Sequence, residues 1–117
     1  MHLSLIEALI ASRSFSEAGL EADSFLRRWP DSERRDEVRL LRANVHREWG
    51  DCSGALADYE ALAQGGPFAD DALWFAAICD KRDGEARWRD RLRQYQQRFP
   101  DGRHKQDADR AAKEDVP

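Results

Sequence analysis

A chain of 117 residues holds one domain of ordinary size. Charged residues make up 36% and hydrophobic residues 41%, with a net charge of −4, which indicates neither a polycation for nucleic acid nor a charge-expanded coil. Seventeen alanines and eleven aromatics supply helix propensity and buriable area, and no run approaches the roughly 18 apolar residues that span a bilayer.

The chain opens on an apolar segment, Leu3, Leu5, Ile6, Leu9 and Ile10. No basic stretch precedes it and Glu7 interrupts it, so it does not have the form of a signal peptide. The expected location is cytoplasmic if Met1 is the native start, and periplasmic if the chain is an excised segment of a larger protein. From here the breakers fall at regular intervals. Pro30, Pro67 and Pro100 are almost evenly spaced, and Arg13-Ser14, Gly50-Asp51 and Asp83-Gly84 form a second series with nearly the same period. Each interval holds two helix-sized segments, and none has the strict alternation of a strand. The spacing predicts helices over about 3–12, 15–29, 33–49, 52–64, 68–82 and 85–99, then a polar helix over about 103–114.

Local chemistry supports these limits. Proline disfavours the α conformation at the residue before it, so Trp29-Pro30-Asp31-Ser32 stops one helix. Asp31 or Ser32 is expected to cap the next. Phe99-Pro100-Asp101-Gly102 repeats the device two periods later. Gly50 and Gly84 stand where a helix C-terminus favours the left-handed conformation.

A helix–turn–helix unit recurring about every 35 residues is the pattern of a helical repeat array. The second unit, with Ala43, Gly50, Ala55, Tyr59 and Pro67, resembles the tetratricopeptide family: small residue, glycine turn, alanine, aromatic and closing proline. The alanine-to-proline interval recurs from Ala18 to Pro30. The first unit lacks the glycine turn and the aromatic, with Ala22 where Tyr59 stands in the second, and the third has Trp88 in the alanine's place. The Trp-Pro-Asp-Ser and Phe-Pro-Asp-Gly endings are similar to those of periplasmic members serving outer-membrane assembly and the Tol-Pal system. The resemblance implies an all-α, right-handed α-solenoid in one domain over 1–114. Its repeats would be about 1–30, 31–67 and 68–100, followed by a capping helix over 101–114 and a tail over 115–117.

Catalytic chemistry is not visible. His2, His46 and His104 have no ligand spacing, Cys52 and Cys79 suggest neither a disulfide framework nor a zinc site, and Cys79 reads as a small core hydrophobe. The pairs Asp36-Glu37 and Asp70-Asp71 fall in helix first turns, where the dipole favours them. The expectation is a protein that is not an enzyme, with no metal and no cofactor.

Charge is unevenly spread. Residues 51–80 hold six acids and no Lys or Arg, 81–105 hold nine bases against four acids, and 26–47 hold seven Arg against four acids. Such bipolarity attracts an oppositely charged partner or a second copy of the chain. The family resemblance implies a protein or peptide partner in a groove lined by first helices. Asn44 matches the family's peptide-facing asparagine, with Leu40 and Arg47 beside it and Leu73 and Asp80 in the third repeat. The alternative is an assembly element, a layer of a homo-oligomer or the last repeats of a larger membrane-associated or regulatory protein. Its surface would be Leu5, Ile6, Leu9 and Ile10, giving weak self-association.

Overall fold

Alanine-rich segments bounded by glycine and proline fold into helices whose limits follow from their turns. The structure, a computed structural model, describes residues 2–114. Its helices are α1 (His2–Ala11), α2 (Phe15–Arg28), α3 (Arg35–Glu48), α4 (Cys52–Ala63), α5 (Ala69–Arg82), α6 (Trp88–Arg98) and α7 (Lys105–Ala112), with no strand among the described residues. The fold is all-α, and every limit lies within three residues of the expected one. The largest difference is the start of α6. There the N–H groups of Trp88 and Arg89 bond the carbonyls of Glu85 and Ala86, three residues back, so a tight 3₁₀-type turn precedes the α-helix.

Two kinds of turn recur. The first ends α1, α3 and α5 with a residue at positive φ: Arg13 (61°), Gly50 (88°) and Gly84 (72°). The following N–H reaches back to the last turn of the helix in each case, Ser14 to Leu9 (2.7 Å), Asp51 to His46 (2.7 Å) and Glu85 to Asp80 (2.8 Å). These bonds satisfy carbonyls that a helix end leaves bare. The first turn thus forms without glycine, and Arg13 carries the steric cost of the left-handed conformation.

The second kind ends α2 and α6. Trp29 and Phe99, each before a proline, take nearly the same conformation (φ −130°, ψ 64° and φ −129°, ψ 62°) and donate to Phe25 O and Tyr95 O. Ser32 and Gly102 then donate to Trp29 O and Phe99 O, and Arg35 and Lys105 to Ser32 O and Gly102 O. The expected cap of α3 is corrected in one respect. The Ser32 hydroxyl accepts from the Arg34 N–H inside the turn, whereas Arg34 is the residue at the helix cap and makes no side-chain cap bond. Asp51 is the clearer side-chain cap, accepting the Gly54 N–H at 3.0 Å and the Ser53 hydroxyl at 3.1 Å ahead of α4.

The chain divides into two compact units, Met1–Asp58 and Tyr59–Pro117. In the first, α1 packs on α2 and α3, and α2 on α3. Leu3, Ile6, Ala22 and Val38 form its centre, with Ile10, Phe25, Leu26 and Leu41 against them, and Phe15, Ala18 and Val45 form a second cluster. Ala18 and Ala22 are fully buried, which lets the neighbouring helices approach closely. Arg42 crosses this unit from α3. It meets Asp58 through two bonds (2.8 and 2.9 Å) and Asp23 through a third (3.0 Å). The bond to Asp58 chiefly holds the guanidinium pKa above its ordinary value, against the opposing effect of burial.

In the second unit α6 packs on α5 and α7. Its core is aromatic: Tyr59 stacks on Phe75 at 5.8 Å, and Trp74 lies against Tyr95 at 5.8 Å. Asp80 is fully buried, paired with Arg87 (3.1 Å) and Arg91, and Arg91 continues to Glu60 at 2.6 Å. Two guanidiniums compensate the buried carboxylate, as burial of a charge requires.

Candidate functional site

The α3 residues Leu40, Asn44 and Arg47 follow one another at helical spacings of four and three, and all three are half-buried. Arg47 pairs with Glu48 at 3.4 Å, and Asn44 makes its own contacts within the fold. No residue over 35–47 is fully exposed, although most of them are polar. Arg35 and Asp36 at the start of α3 keep side chains 42% and 44% exposed, whereas from Leu40 to Arg47 every residue is buried or half-buried, a departure from the usual surface helix with one wet face.

The other expected binding residues need correction. Leu73 and Asp80 are core residues of the second unit, 2% and 0% exposed, because Leu73 lies on the packed side of α5 and Asp80 is enclosed by Arg87 and Arg91. Neither presents a groove surface. The proposed assembly surface is also largely consumed inside the protein. Ile6 is fully buried against Ala22 and Val38, and Leu9 and Ile10 pack against the core clusters. Leu5 alone of the four is exposed, at 45%. The cysteine expectation changes too: Cys52 and Cys79 are buried, and neither is a free thiol.

Sequence reasoning missed a polar cluster in the second unit. Asp70 and Asp71 stand in the first turn of α5. The Tyr95 hydroxyl donates to Asp70 Oδ1 at 2.5 Å, and the Arg103 N–H donates to Asp70 Oδ2 at 3.0 Å. Asp71 accepts from the Arg103 guanidinium at 2.8 Å and meets His104 Nε2 at 2.7 Å. The His104 N–H in turn donates to the Tyr95 oxygen at 2.8 Å, and the imidazole stacks on Trp74 at 5.4 Å and 10°. Burial, then the bond to Asp70, pushes the Tyr95 hydroxyl pKa above its ordinary value. The cluster joins the start of α5 to the turn between α6 and α7. No sequence rule brings Asp71 to a histidine on the far side of α6.

Ligand-type atoms of Asp70, Asp71 and His104 lie within 4.8 Å of one another, a spacing a dication could use. Their charge is already met by the Arg103 guanidinium, the positive end of α5 and the hydrogen bonds above. The arrangement is a structural clasp. Gly102 belongs to it, because a Cβ there would come within 2.6 Å of the Tyr95 hydroxyl and 2.8 Å of Asp70 Oδ2. The equivalent turn of the first unit has Ser32 at that place.

No protein-family model matches this chain, and no curated protein matches it.

Proposed function

We propose that this chain is a non-catalytic protein–protein interaction module of tetratricopeptide-like helix pairs. It takes a peptide or protein partner along α3. The observation that carries the reading is α3 itself, whose polar residues Arg42, Asn44, His46 and Arg47 are half-buried, the environment of a helix that lines a concave surface. In this reading three helix pairs coil as a right-handed solenoid and α7 closes the end. Support comes from the positive-φ turns at Arg13, Gly50 and Gly84, which recur once per helix pair, and from the buried alanines Ala18 and Ala55.

On α3, Leu40 would supply apolar contact, Arg47 charge and Asn44 hydrogen bonds. An amide has two donors and two acceptor lone pairs, so Asn44 can serve its internal contacts and a peptide backbone together. Peptide-display selection on the full chain tests the proposal. Enriched peptides should bind N44A/R47A at least about tenfold more weakly, roughly 1.4 kcal/mol. If binding survives that double substitution, α3 is not the groove.

A further inference from the structure

The turn after α1 is built without glycine. Gly50 and Gly84 hold the matching positions of the other two turns, whereas here Arg13 takes φ 61° and carries a side chain at the cost of strain. Its guanidinium lies over the Phe15 ring, 5.1 Å from the centroid. That stacking uses the flat face and leaves the in-plane N–H groups for another partner. Among the described residues Arg13 pairs with no carboxylate and Glu17 with no base, although both line one groove of about 250 Å³. Trp49 lines it too and is 59% exposed, an unusual degree for so large an apolar side chain.

We infer that this groove is a docking site, separate from Leu40, Asn44 and Arg47, for the carboxyl-terminal residue of a polypeptide partner. A chain terminus offers a carboxylate, a backbone N–H and a side chain on one α-carbon. The carboxylate matches the planar fork of Arg13, the N–H matches the Glu17 carboxylate, and an apolar side chain matches the indole of Trp49. Capture of a chain terminus is a recurring mode of peptide recognition. The volume is below the roughly 300–1,000 Å³ of pockets for drug-sized ligands, which suits one residue better than a folded element. An internal run of acids fits less well, because Glu17 repels every carboxylate beyond the one that Arg13 takes. The same charge opposes a nucleic acid backbone.

Fluorescence anisotropy with the full chain tests this, using a Gly/Ser peptide that ends in Phe and carries fluorescein at its amino terminus. The free acid should bind about tenfold more tightly than the same peptide amidated at its carboxyl end, a margin that salt narrows. R13Q, which keeps the length of the side chain, and R13G, which relieves the strain, should each abolish that difference with the helical circular dichroism unchanged. W49A should abolish the preference for Phe over Gly as the last residue. N44A/R47A should leave all of this unchanged, so failure of the α3 reading and failure of this one are distinguishable. Equal affinity for the free acid and the amide, undetectable binding of both included, overturns the inference. So does a carboxylate preference that survives in R13Q and R13G, its loss in N44A/R47A, or an amidated peptide with internal Glu that binds as tightly as the free acid.

Discussion

Ile6 and Leu5 are sequence neighbours on α1 with opposite surroundings, fully buried and 45% exposed. Ile6→Ala removes three carbons from a site packed by Leu3, Ala22 and Val38. At about 0.8 kcal/mol per buried carbon the transfer loss is roughly 2.4 kcal/mol. A cavity contribution raises it, and a few tenths are returned by the better helix propensity of alanine, for a net of about 3 kcal/mol. Leu5→Ala should change stability by less than about 1 kcal/mol. Urea unfolding followed by helical circular dichroism reads both variants, with an unchanged m-value as the check that only stability moved. Equal effects, or an Ile6→Ala loss below about 0.5 kcal/mol, would refute the internal role given to Ile6. They would return α1 to the assembly reading.

Arg13→Gly should stabilise by up to about 1 kcal/mol, since glycine accepts positive φ freely and the matching positions are Gly50 and Gly84; a lower thermal midpoint would contradict this. Tyr95→Phe removes one of the two hydrogen bonds to Asp70 and the acceptor of the His104 N–H and should cost about 1–3 kcal/mol in chemical denaturation, an effect absent if the clasp is incidental. Asp51→Ala should cost about 1 kcal/mol as a lost helix cap. The Gly54 N–H, then the Ser53 hydroxyl, hold the Asp51 carboxyl pKa below its ordinary value. The carboxylate is thus favoured in the folded state, so its contribution is complete above the usual carboxylate range and lost as pH falls through its folded pKa. The wild-type and variant unfolding midpoints should converge in acid; a constant gap down to pH 2 would show that the charge of Asp51 is not what caps α4.

The helices were legible because their signals are local. Proline excludes the α conformation just before it, and glycine at 50 and 84 permits positive φ, so each turn is written in a few neighbouring residues. Arg13 shows the limit of that rule: the same turn forms where the residue type argues against it, because the helices packed on either side fix the chain path. The functional surface was less legible for a related reason. Helical spacing puts Leu73 and Asp80 on a face of α5, but which face is buried depends on Arg87 and Arg91 arriving from the turn and helix that follow. Alternation of Arg87, Arg89, Arg91 and Arg93 likewise suggests charge spread around α6, until Asp80 draws two of them inward. The clasp of Asp70, Asp71, Tyr95 and His104 is assembled from three separate segments, and Gly102 hints at it only through the absence of a side chain.

Amide chemical-shift mapping of the ¹⁵N-labelled full chain, titrated with a peptide obtained by display selection, addresses the role of α3 most directly. The largest shifts should fall on α3 around Leu40, Asn44 and Arg47 and vanish in N44A/R47A, with Leu73 and Asp80 responding little because they are buried. Saturable binding that leaves the amides of 35–48 unmoved would contradict the proposed function.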